Sequence, residues 1–198
     1  MSVKILANLC LCFIIMSAAA HATENTNGSM DPHAMMELWK KLGTPGEPHK
    51  VFASLVGNWT TQTKEWMEPG KPPSESTGTA KMTMLLDGRF LYQEFHGQMM
   101  GQPFSGIGID AYDNMTQKYV TAWMDTMGTG IFVMEGTASS DGKTITLHGS
   151  HPEPGGGDMT HRAVWTIIDS NTQTFVMFGT HHGGTEMKVM EIVYTRQP

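Results

Sequence analysis

Residues 104–137, FSGIGIDAYDNMTQKYVTAWMDTMGTGIFVMEGT, constrain the fold more tightly than any other stretch. Apolar and polar residues alternate along Tyr119 to Asp125, the two-residue period of a sheet whose faces differ. Asp113-Asn114 supplies the turn before that run, because short Asx side chains bond their own backbone and tolerate a left-handed conformation. The stretch reads as three consecutive strands.

The chain downstream of Gly57 repeats this strand–turn unit. Strands are predicted near 57–66, 77–86, 89–97, 104–112, 118–125, 131–139, 144–151, 160–168, 174–181 and 187–196. The short connections favour an all-β, up-and-down antiparallel arrangement. About ten such strands would leave two exposed edges unless the sheet closes, so a barrel is expected.

Connection lengths carry the orientation. Those at Asp87-Gly88, 113–117, 140–143 and 169–173 are short and rich in Asp, Asn, Gly and Ser. The alternate connections, 67–76, 98–103, 126–130, 152–159 and 182–186, are mostly longer and rich in glycine and proline. In a meander, alternate connections share an end. One end is therefore predicted to be tight and the other a looser mouth, the usual entrance to a small barrel.

Two short helices should precede the strands. Asp31-Pro32 has an N-cap followed by proline in the first turn, and that helix should stop at Gly43. A second is expected over His49 to Leu55, with Val51, Phe52 and Leu55 on one side, the two pieces covering a face or an end of the barrel.

The first 22 residues read as an export signal: Lys4, the apolar run Ile5 to Met16, and the A-x-A site Ala20-His21-Ala22. Residues 23–47 are a polar leader and the first helix, and 48–198 the barrel domain. A periplasmic or secreted protein, not inserted in a membrane after cleavage, is expected. Both cysteines, Cys10 and Cys12, lie in the signal, so the mature chain has no disulfide and no thiolate chemistry. Loss of Lys4 takes the formal charge from −6 to −7, which argues against nucleic acid or an anionic membrane surface as partner.

Three blocks in order, Leu86 to Gly108, Tyr112 to Gly130 and Lys188 to Arg196, resemble a bacterial family, domain of unknown function 1579. The resemblance covers roughly 48–196. It implies a calycin-like, lipocalin-like barrel, broadly similar to nitrobindin and the fatty-acid-binding proteins, and brings no established activity. Gly57-Asn58-Trp59 is similar to the G-x-W opening of lipocalin-type first strands. Nitrobindin-like haem binding would need an axial ligand, commonly a histidine near the C-terminal strand. Met187 to Arg196 contains none, so haem is not expected.

The chain carries no nucleophile elbow, HExxH, P-loop or dinucleotide fingerprint. Gly106-Ile107-Gly108 precedes a strand and reads as close backbone packing or a bend. His148 and His151 could supply a base, but no nucleophile can be paired with them in sequence, and no enzyme is expected.

A small-molecule ligand, apolar or carboxylated, is expected in the barrel. Tyr119, Thr121, Trp123 and Asp125 share one strand face. Trp123 and Asp125 would then lead toward the mouth, where Met99, Met100 and Met127 give an adaptable apolar lining. Arg162, and with it Lys188, would anchor a ligand carboxylate; alternatively Arg162 pairs with Asp125 or Glu135, or faces solvent. Methionine is abundant, with 18 residues. His151, His181, His182 and Met159 at the mouth offer imidazole and thioether, a set suited to copper. Packing and adaptability to varied ligands account for methionine equally well.

Overall fold

The computed structural model describes residues 31–182 and 184–198. The signal reading over 1–22, the cleavage site after Ala22 and the two cysteines lie outside the described residues. Two helices, α1 (Pro32–Leu42) and α2 (Glu47–Ser54), precede ten strands. These are β1 (Gly57–Glu65), β2 (Ser74–Leu85), β3 (Phe90–Met99), β4 (Gln102–Asp113) and β5 (Lys118–Asp125). There follow β6 (Phe132–Ala138), β7 (Thr144–Pro152), β8 (Asp158–Ile167), β9 (Thr172–Thr180) and β10 (Met187–Arg196).

Each strand pairs antiparallel with its neighbour in sequence, and β1 pairs with β10 to close the barrel. Thr61 faces Tyr194 and Thr63 faces Ile192 across that seam. Closure satisfies both edges, which is why the meander is stable as a single sheet. The predicted strands are all present, with no end displaced by more than three residues. Interior residues follow the period of two: Trp59, Thr61, Thr63 and Glu65 alternate inward along β1, as Ile145 and Leu147 do along β7.

α2 plugs the tight end. Phe52 stacks on Trp165 at 6.2 Å and meets Tyr119 edge-on at 5.7 Å. Leu55 is buried beside it, and its carbonyl accepts the Trp59 indole N–H at 3.0 Å. Full burial of each such side chain contributes about 1.5–3 kcal/mol. At the start of α2 the Gly46 amide donates to His49 Nδ1 at 3.0 Å, satisfying one orphan helix donor. Burial holds the His49 imidazole below its ordinary pKa, in the neutral form that this acceptor role requires. At the other end Arg196 donates to the carbonyls of Ser54, Val56 and Ser170, and lies 4.2 Å over the Trp59 ring.

α1 behaves differently from the expectation that both helices cover the barrel. It buries no residue, and Met36 and Trp39 are exposed. Its C-terminal end is held at the tight end by Asn114, whose side-chain amide donates to the carbonyls of Leu42 and Thr44. An 11-residue helix has room for only one apolar stripe, and α2 already fills the opening.

Candidate ligand cavity inside the barrel

With α2 closing one end, the interior remains hollow toward the other. A cavity of about 830 Å³ runs up to the loops after β3, β5 and β7, where Met99, Met127, Gly128, Ile131 and Pro154 form its rim. That volume lies within the range of small-molecule sites. None of the tight-end turns lines it.

One wall is aromatic. Trp123 stacks on Phe104 at 6.5 Å, and Phe95 meets it edge-on at 6.3 Å. Gly106 and Gly108 face Trp123 from β4. A Cβ on Gly106 would lie 2.2 Å from the indole Cζ2, so the Gly-Ile-Gly segment is a bed for the ring. The indole N–H donates to Asp125 Oδ2 at 2.8 Å, and Asp125 Oδ1 accepts the Met127 amide at 2.9 Å. Asp125 thereby joins the aromatic wall to the mouth loop. Methionines 82, 134, 177 and 190 supply much of the remaining apolar lining.

The polar groups sit at two depths. Nearer the tight end, Asp110 on β4 receives the Thr121 hydroxyl from the paired strand, with Gln93 and Tyr194 also lining this level. Burial pushes the Asp110 carboxyl up to about 6, and the Thr121 hydrogen bond only partly offsets it. Burial likewise raises the Tyr194 phenol, with the Gln93 side-chain hydrogen bond opposing the shift and the Asp110 charge adding to it. Gln173 is fully buried, accepting the Trp165 indole N–H at 2.7 Å.

Nearer the mouth, His161 on β8 stacks on His151 of β7 at 5.0 Å, with Phe132 edge-on to both. Both His161 ring nitrogens are buried without a hydrogen-bond partner among the described residues. Burial, reinforced by the neighbouring His151, lowers its pKa to about 4. Glu65, on β1, is raised by burial, with the Ser74 hydroxyl opposing the shift.

The site residues expected from sequence divide. Trp123, Asp125, Met99, Met127 and His151 line the cavity. Met100 sits at the tip of the β3–β4 turn with φ of 50°, exposed and off the cavity wall. Arg162 lies outside. Alternation puts His161, Ala163 and Trp165 inward, so Arg162 must face out, where its guanidinium grips Glu186 through two bonds of 2.9 and 2.7 Å. It pairs with neither Asp125 nor Glu135; Glu135 bonds Lys118 instead. Simple alternation would give Lys188 the face of Met190, Ile192 and Tyr194. A bulge between Lys188 and Met190 breaks that parity, turning Lys188 outward to Glu191 and over the Trp66 ring. No lysine or arginine lines the cavity among the described residues, so the carboxylate reading loses both its anchors.

Of the residues expected to hold copper, His151 stacks on His161 at the mouth. His181 Nδ1 lies 2.8 Å from Glu153, His182 is exposed, and the Met159 methyl rests over Gly179. Among the described residues no three His, Cys, Asp or Glu side chains are grouped to hold a metal. His148 faces the outer groove with Arg162, whereas His151 faces inward. Sequence reasoning passed over Asp110, His161 and Tyr194. Parity with Phe104 on β4 and with Trp165 on β8 was the signal available for the first two.

A closed ten-stranded barrel with a plugged end and an interior cavity defines the class. The family described as "Protein of unknown function (DUF1579)" matches residues 44–196, and the chain belongs to it. No curated protein matches. Among solved structures, Rv2717c from M. tuberculosis is similar, with a TM-score of 0.57 and 16% identity over 78% of this chain and 100% of that one. That likeness is one of fold. A de novo designed fluorescence-activating β-barrel aligns with a TM-score of 0.42 and 13% identity, over 74% of this chain and 97% of its own. A second barrel, EF1p2_mFAP2b bound to DFHBI, aligns at 0.44 and 9%, over 76% and 100%.

Proposed function

We propose that this protein is an exported carrier or sensor of a small, largely apolar molecule held inside the barrel. The observation that carries this reading is the hollow interior. Folding ordinarily fills a core to crystal-like density, yet here about 830 Å³ stays open behind an aromatic and methionine-lined mouth. Methionine side chains adapt to varied apolar shapes, which suits a wall that contacts a ligand. Export is supported by the signal pattern of residues 1–22.

Titration with a neutral solvatochromic dye such as Nile red tests the cavity. Saturable binding that Met177→Trp weakens at least about 10-fold is expected, since the indole would occupy the lumen. Dye binding unchanged in a folded Met177→Trp protein would place the dye elsewhere and overturn the reading. Native mass spectrometry of protein taken from its own host would then identify the retained molecule. The mature chain should begin at Thr23 by N-terminal sequencing; full-length protein in the cytoplasm would contradict export.

A further inference from the structure

Three carboxyl groups, Glu65, Asp110 and Asp125, line the cavity, and no lysine or arginine accompanies them among the described residues. Asp125 is engaged, with one oxygen on the Trp123 indole and the other on the Met127 amide. Glu65 Oε2 lies 3.5 Å from the Ser74 hydroxyl. Asp110 is the deep one. It is 9% exposed and receives one hydrogen bond among the described residues, from Thr121. An ionised carboxylate offers about four acceptor positions, so most of its capacity is unused. Burying such a group without a cation is costly, and an asparagine would serve a cross-strand bond to threonine without that cost.

The surroundings of Asp110 favour one kind of partner. Gln93 offers a second oxygen, and Tyr194 a hydroxyl from the opposite side of the seam. Two residues along β5, the Trp123 ring stands on the same inner face, and π faces attract cations. No three His, Cys, Asp or Glu side chains are grouped for a metal ion among the described residues, and the apolar, aromatic lumen beyond Asp110 suits the body of an organic cation.

We propose that Asp110 is the counter-ion for a protonated amine borne on an apolar, aromatic-sized ligand. The ammonium sits at the base among Asp110, Gln93 and Tyr194. The body extends along Trp123, Phe95 and Phe104 to the methionine rim. This assignment rests on the cavity reading above and names its ligand class.

Calorimetric titration with naphthylethylamine, naphthylethanol and naphthylacetate separates the possibilities, because the three share an apolar body and differ in charge. At about pH 7.5 the amine should bind at least about 10-fold more tightly than the alcohol, and the acetate weakest. Asp110→Asn should abolish the amine's advantage while leaving alcohol affinity within about threefold. Glu65→Gln should retain the advantage, since Glu65 stands on β1, three strands from Asp110 on β4.

The unmodified protein gives an independent reading. At about pH 5, with Asp110 protonated, the preference should collapse while the alcohol binds as before. The other titratable groups facing the lumen are Glu65, Asp125, Tyr194, His151 and His161, and the Glu65→Gln protein removes one of them from this comparison. Equal binding of amine and alcohol at about pH 7.5, or a preference surviving in Asp110→Asn, would overturn the counter-ion and leave the cavity reading standing. Binding of none of the three would overturn both.

Discussion

Trp123 lies in the space that a side chain on Gly106 would need: a Cβ there would come within 2.2 Å of the indole. Gly106 on β4 and Trp123 on β5 are thus one packing unit, and the indole's seat determines the shape of the cavity wall. Gly106→Ala should cost about 1–3 kcal/mol in denaturant unfolding, the range for overpacking a filled site. It should also shift tryptophan emission and weaken cavity ligands. An alanine variant with unchanged stability and emission would show that the ring has room to move.

Asp110 should make stability fall as pH rises. Its carboxyl titrates near 3.8 when exposed and about 6 when folded, so the native state holds the proton more tightly. The stabilising contribution of the protonated form is complete below about 3.8 and is lost by about 6, a loss of roughly 2–3 kcal/mol. Asp110→Asn should therefore gain stability relative to the unmodified protein at about pH 8 and gain little at about pH 4. Chemical denaturation at the two pH values measures this. Equal differences at both would show that the carboxyl is not destabilised by burial.

His161 works in the opposite direction. Its folded pKa of about 4 lies below the exposed value of 6.5, so the unfolded chain takes up the proton first. Stability is fully present above about 6.5 and declines toward 4. The group borders an open cavity, so solvent screening reduces the effect to about 1–2 kcal/mol. His161→Leu should remove that part of the acid sensitivity and also relieve two buried, unpartnered ring nitrogens. Unfolding curves at pH values between about 4 and 7 check both. An unchanged pH profile in the leucine variant would count against it.

The Arg196 guanidinium ties the C-terminus of α2, the β8–β9 turn and β10 together through three carbonyls. Arg196→Lys retains the charge but loses the planar fork, and should cost about 1–2 kcal/mol. Hydrogen exchange should quicken first in α2. Exchange that stays uniform across the barrel would mean that Phe52 and Leu55 alone hold the helix.

Much of the barrel was legible because turns and alternation are local. Asp113-Asn114 announces its turn, and the period of two runs visibly through Tyr119 to Asp125. Ten strands with short links leave few alternatives to a meander, and alternation in loop length distinguished mouth from base. Those two signals alone put Trp123, Asp125, Met99 and Met127 on the cavity, where they lie. Gly106 and Gly108 were readable as close packing, though nothing local named Trp123 as the partner.

Parity, however, says only which residues share a face. On β8 the sets His161–Ala163–Trp165 and Arg162–Val164–Thr166 are equally regular, and only the bulk of Trp165 favours the first as the inner one. Closure supplies that reference: the inner side is where α2 brings Phe52 against Trp165, and burying that contact outweighs burying a guanidinium. On β10 a single bulge reverses Lys188 relative to Met190, a change of register set by pairing with β9. The sequence by itself determined the strand count, the order and the two unlike ends, because those depend on neighbours along the chain. Only the tertiary structure decided which side of each strand faces the lumen, because burial depends on what the far strands bring. That choice leaves Asp110 inside with no basic partner among the described residues, and Arg162 outside with Glu186.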